Sequence, residues 1–176
     1  MSDDFIEESI AAVSDRGAGR VFDESMLRVP LSAIEPARPL VVEPQASVLE
    51  AVTVMVEGRV GVVLVSRGAK LKGIFTERDA VTKIVARGID PAKTPVRKVM
   101  TPDPETLRPT DSIAYALNKM SLGGYRHVPL VDSARTPVGV VSVRDIVNYL
   151  VTFFPESVLN LPTLPRGNYA QQREGA

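Results

Sequence analysis

Apolar and polar positions along this 176-residue chain run through one pattern twice. Leu40-Val41-Val42 is a short apolar run that Pro44 stops. Ser47-Val48-Leu49-Glu50 is a capping box that opens a helix with apolar positions Val48, Val52, Met55 and Val56, closed by Gly58. Residues 62–65 form a continuous apolar run, hence a buried strand, and Arg67-Gly68 marks a turn. Residues 71–75 make the return strand, and Thr76 caps a helix with Val81, Ile84 and Val85 that ends at Gly88. After a connector with Pro91 and Pro95 the order recurs. Thr106-Leu107 predicts a strand ended by Pro109, and Ser112 opens a helix with Ile113, Ala116, Leu117 and Met120 that stops at Gly123-Gly124. Strands follow over 128–131 and 138–141, and a last helix carries Ile146, Val147, Leu150 and Val151.

The spacing identifies a duplication. Early landmarks lie 65 residues apart (Ser47 and Ser112, Met55 and Met120) and later ones 66 (Leu64 and Leu130, Asp79 and Asp145), so one residue has entered the second helix–strand loop. The strongest marks are Gly73-Ile74-Phe75-Thr76-Glu77-Arg78-Asp79 and Gly139-Val140-Val141-Ser142-Val143-Arg144-Asp145. In each, a hydroxyl accepts from the third helical N–H and the Asp carboxylate accepts from the cap N–H. The expected fold is α/β of the α+β type, with each repeat running strand-helix-strand-strand-helix. A unit of this size buries its sheet poorly alone. The two sheets are therefore expected to pack together with pseudo-two-fold symmetry, leaving two related clefts, and ligands favour such junctions. The chain divides into an N-terminal arm and short acidic helix (1–30), a first repeat (31–93), a second (94–152) and a Pro-containing tail (153–176). The segment 21–34 is expected to pack on the first repeat.

Composition narrows the chemistry. Lys+Arg and Asp+Glu balance at 21 each, so no global field attracts nucleic acid or an anionic membrane. The absence of Cys excludes disulfides and thiolate metal sites, and the single His127 excludes a His-based metal centre. The acidic N-terminus is unlike a signal peptide, and no apolar run reaches the roughly 18 residues of a membrane helix. The expectation is a soluble, cytoplasmic protein without metal, catalytic residues or required cofactor.

The duplicated G-h-h-[ST]-x-x-D motif, Val99-Met100-Thr101-Pro102, and Tyr125-Arg126-His127-Val128-Pro129-Leu130-Val131-Asp132 together resemble a tandem pair of CBS domains, the Bateman module. The similarity covers about residues 31 to 152 and is nearest to small stand-alone bacterial members. It implies a regulatory homodimer that binds adenosine-containing ligands in its clefts: AMP, ADP or ATP, with S-adenosylmethionine or NAD(H) also within the family's range. By that resemblance Asp79 and Asp145 would accept from ribose hydroxyls, with Thr76 and Ser142 assisting. Arg78, Arg144 and Arg126 would face phosphate, with His127 at the cleft edge. Val62, Ile74, Val128 and Val140 would wall the adenine, and no aromatic is clearly placed to stack on it. The signal would pass to an unidentified protein partner.

Plainer roles stand beside these. Both boxes serve as helix caps worth about 1 kcal/mol each, and Arg78 and Arg144 as solvated first-turn side chains. His127 lacks the nucleophile or paired carboxylate of a catalytic site. A ligand-free dimeric scaffold is the alternative function; an enzyme lacks a nucleophile–base pair, and a nucleic-acid binder lacks a basic, aromatic stripe.

Overall fold

The computed structural model describes residues 24–153, so the acidic helix expected near the N-terminus and the tail beyond residue 153 lie outside the described residues. Two units divide the chain. Glu24–Val147 contains both sheets and both clefts. The described part of the other begins at Asn148, where Tyr149 and Phe153 meet edge to face at 5.0 Å and the Thr152 hydroxyl donates to the Tyr149 carbonyl.

In the first repeat β1 (Val41–Val42) lies parallel to β2 (Val62–Arg67), which pairs antiparallel with β3 (Lys70–Thr76). Helix α1 (Val48–Gly58) carries the full capping box: Ser47 accepts from the Glu50 N–H, and Glu50 accepts from the Ser47 N–H at 2.6 Å. It buries Val48, Ala51 and Met55 against Val63, Val65 and Phe75. Helix α2 is composite, with an α turn Glu77–Asp79, a π stretch Ala80–Ile84 and a 3-10 turn Val85–Arg87, ended by left-handed Gly88. In the second repeat α3 (Ile113–Gly123) buries Ile113, Ala116 and Met120, β5 (His127–Val131) pairs antiparallel with β6 (Pro137–Ser142), and α4 (Val143–Val151) follows.

The sheets do pack together. Val62, Leu64, Leu71 and Ile74 from the first meet Val131 and Val140 from the second in one buried cluster.

Several expectations need correction. The segment ahead of the first repeat packs on the second: Leu31 N–H donates to the Asp111 carbonyl, Ile113 N–H donates to the Val29 carbonyl, and Leu31 is fully buried. Symmetrically, 65 residues on, Val96 is fully buried in the first repeat's core, with its N–H on the Ala46 carbonyl. The repeats thus exchange their lead-ins. The exchange continues into the sheets, where β4 (Thr101–Pro102) pairs antiparallel with β3 and Ala37 forms a bridge to Val140. This explains the motif glycines. A Cβ on Gly73 would strike the Met100 sulfur and lie 2.9 Å from the Thr101 carbonyl oxygen, and one on Gly139 would lie 3.3 Å from Pro36.

Thr106-Leu107 makes only a single parallel bridge, Leu107 to Leu130, rather than a strand. Arg59, not Gly58, is the left-handed C-cap of α1; Gly58 is the last helical residue, and a side chain there would collide with Leu40. Four of the apolar helix positions, Val56, Val81, Val85 and Val147, are 71%, 59%, 73% and 49% exposed. Periodicity shows that a face is apolar, not that this chain covers it.

Candidate functional site

Where the repeats meet, two clefts of equal size open, each about 440 Å³, within the range that holds a small ligand. Cleft A gathers the motif of the second repeat, Ser142, Arg144 and Asp145, with Val62 and Val140 as apolar wall. Cleft B gathers that of the first, Thr76, Arg78 and Asp79, with Ile74. Arg126 and His127 line both, so eleven of the twelve residues singled out in the sequence border a cleft. Val128 does not: it is buried within β5 and touches neither.

The two boxes have the same local geometry. One carboxylate oxygen of Asp145, Oδ2, accepts from the Ser142 N–H at 2.7 Å and hydroxyl at 2.8 Å, while the Asp145 N–H donates back to the hydroxyl. Asp79 Oδ2 accepts likewise from the Thr76 N–H at 3.0 Å and hydroxyl at 2.8 Å. The other oxygens differ. Asp79 Oδ1 is held by the Lys83 ammonium at 2.8 Å, and Lys83 also donates to the Val99 carbonyl. Among the described residues Asp145 Oδ1 is engaged by no donor. A carboxylate has about four lone-pair sites, so Asp145, with only Oδ2 engaged, keeps a whole oxygen open, whereas Asp79 has donors on both of its oxygens.

Arg78 is likewise committed, its guanidinium donating to the Gly124 carbonyl at 3.1 Å. That carbonyl belongs to the C-cap of α3, where the helix dipole favours a cation. Burial pushes the His127 imidazole below its ordinary value near 6.5, with the Arg126 charge adding to the effect and Asp145 and Glu77 opposing it. His127 therefore sits neutral near pH 7, shared by both cavities.

The sequence reading passed over Arg38 and Arg59 in cleft A, Asp103 and Glu105 in cleft B, and Glu77 in both. It also saw no aromatic in place, yet Tyr125 lines cleft B, its ring lying so close to Gly123 that a Cβ there would collide with it. The glycine pair Gly123-Gly124 beside Tyr125 was the available signal. Among the described residues no group of three or more His, Cys, Asp or Glu side chains is arranged for a metal ion. No helix of the described residues is long and apolar enough to cross a membrane.

The CBS-domain family model matches residues 32–86 and 96–152. The chain belongs to the CBS-domain family. Among curated CBS relatives it is 32% identical over 136 residues to the CBS domain-containing protein CBSCBSPB3 of Arabidopsis thaliana, covering 76% of this chain and 24% of that protein. It is 32% identical over 146 residues, 82% of each chain, to an uncharacterized 17.7 kDa protein of Acidianus ambivalens. The chain thus spans about a quarter of the first of these relatives. Among solved structures, the CBS pair superposes on a CBS domain protein from Pyrobaculum aerophilum complexed with AMP (TM-score 0.64, 25% identity, 72% of this chain and 99% of that one). It also matches a putative signal-transduction protein with CBS domains from Burkholderia ambifaria (TM-score 0.62, 26% identity, 73% and 92%).

Proposed function

We propose that this CBS pair is a non-enzymatic regulatory module that holds an adenosine-containing ligand, AMP, ADP or ATP foremost, in the cleft at Asp145. The observation that carries the reading is the open carboxylate oxygen of Asp145, set beside arginines in a cavity of nucleotide size. A ribose diol offers two O–H donors to that oxygen, and guanidinium forks suit phosphate. The AMP held by the Pyrobaculum protein supports the ligand class. S-adenosylmethionine and NAD(H) present the same ribose and stay within it.

Cleft A is walled by both repeats, Arg59 to Val62 from one and Arg126 to Asp145 from the other. A bound ligand would bias their relative arrangement by as much as its affinity differs between the states. On this reading the output passes to a protein partner. The exposed apolar positions Val56, Val81, Val85 and Val147 favour a homodimer that covers them. A cytoplasmic location and the kinship with small bacterial members belong to the same proposal, the latter favoured by the Burkholderia structure.

A thermal-shift screen with AMP, ADP, ATP, S-adenosylmethionine and NADH tests the reading. A ligand at 100 times its Kd adds about 2.7 kcal/mol, raising Tm by roughly 5 to 11 °C for a chain of this length. A shift that Asp145→Ala removes is the expected result. A protein that melts cooperatively and responds to none of them is the ligand-free scaffold instead.

A further inference from the structure

From the charges that line the two cavities we infer that cleft A reads phosphate and cleft B does not, with Arg59 as the residue that sets the difference. The inference rests on the reading of cleft A as an adenosine site and specifies the ligand's charge there.

Cleft A is bordered by Arg38, Arg59, Arg126 and Arg144 against Glu77 and Asp145. Among the described residues none of these four arginines has a carboxylate within 4.0 Å. Cleft B is bordered by Arg78 and Arg126 against Glu77, Asp79, Asp103 and Glu105. Three of its charges are already engaged: Lys83 holds Asp79, Lys119 holds Glu105 at 3.4 Å, and Arg78 is bound to a backbone carbonyl. One cavity has cations in excess and unpaired, whereas the other has carboxylates in excess and its own arginine Arg78 committed, so it faces an incoming phosphate with negative charge.

The inversion falls on matched positions of the duplication. Arg38 becomes Asp103, Leu40 becomes Glu105, and Arg59 becomes Gly124, each 65 residues on. The last pair is the most telling. Both are helix C-caps in the left-handed region, with φ of 52° at Arg59 and 66° at Gly124. Glycine takes that conformation freely, whereas a side chain there is strained. The first repeat carries the strain, and the side chain it thereby keeps borders cleft A. Asp103 in cleft B is left-handed too, with φ of 40°, so the sign of the charge kept at each cavity, rather than the strain, separates the two. The Arg59 guanidinium supplies a fork for phosphate oxygens that cleft B lacks at its own C-cap.

Arg59→Gly separates this role from a structural one, because relieving the left-handed strain should raise Tm while removing the phosphate contact. Titrating adenosine and ADP into wild type, Arg59→Gly and Asp79→Ala by calorimetry reads both. Wild type should bind ADP more tightly than adenosine. Arg59→Gly should melt at the same or higher temperature and bind ADP about tenfold more weakly, the scale of a lost charged hydrogen bond, with adenosine changed less than threefold. Asp79→Ala should leave ADP binding in place. Unchanged ADP affinity in Arg59→Gly, or ADP binding that Asp79→Ala abolishes, overturns the inference while the adenosine-module reading stands. No binding of either compound by wild type overturns both.

Discussion

Clefts A and B have the same volume, arise from the same seven-residue motif and share Arg126 and His127, yet they present opposite faces to a ligand. In cleft B the aspartate of the motif is a structural residue, capping its helix with one oxygen and holding Lys83 with the other. In cleft A the corresponding aspartate caps its helix and still has an oxygen to give. The difference teaches that a repeated motif guarantees a repeated backbone, not a repeated site. The cap is a local interaction, complete within four residues, and survives duplication unchanged. Whether the remaining acceptor is free depends on the side chain one turn further along, and there Lys83 has Tyr149 as its counterpart in sequence.

The comparison breaks most sharply at the two carboxylates. Both Asp→Ala variants lose a cap worth about 1 kcal/mol, and Asp79→Ala also loses the Lys83 ion pair, so its stability should fall further. Only Asp145→Ala should lose nucleotide binding, by about 100-fold if two charged hydrogen bonds go, measured by calorimetry with ADP. Equal losses from Asp79→Ala would make the clefts equivalent.

The next effect concerns the exchanged lead-ins. Gly73→Ala drives a Cβ against the Met100 sulfur and the Thr101 carbonyl oxygen, whereas Gly139→Ala meets Pro36 at 3.3 Å. Chemical denaturation should show a cost of about 2–3 kcal/mol for the first and a smaller one for the second.

Lys83→Met would release Asp79 Oδ1. Cleft B should then gain a measurable second site for adenosine, raising the calorimetric stoichiometry, at a stability cost of about 1 kcal/mol for the lost hydrogen bond to the Val99 carbonyl. A stoichiometry unchanged from wild type would mean that Lys83 is not what closes cleft B.

The smallest effect is in pH. Because His127 titrates below its unfolded value of about 6.5, the unfolded chain binds the extra proton first. Its contribution to stability is therefore constant above that value and is lost as pH falls toward the folded value. An anion in cleft A would raise the His127 pKa, so ADP binding should strengthen as pH falls from 7.5 to 6. His127→Gln should flatten both dependences, read by Tm and by titration at the two pH values.

Much of this molecule was legible beforehand. The duplication, the capping boxes at Ser47, Thr76 and Ser142, the buried runs of β2 and β5 and the convergence of the motif residues on two cavities all follow from patterns within ten residues or from one fixed offset. Those patterns are strong because caps and strand pairing are made by near neighbours, and because one folded unit was simply repeated.

Only the tertiary structure decided the rest. Leu31 and Val96 carry no sequence sign that each completes the other repeat's core, since burial of an apolar side chain is indifferent to which segment supplies it. Val81 and Val85 mark an apolar face by their spacing, but spacing does not say what covers it, and both are exposed in this chain. Arg38, Arg59, Asp103 and Glu105 are ordinary loop charges until segments distant in sequence converge around one cavity, where unpaired charges are left without water's full screening. Sequence determined that there would be two clefts; their opposite character was set by which charges the fold brought to each.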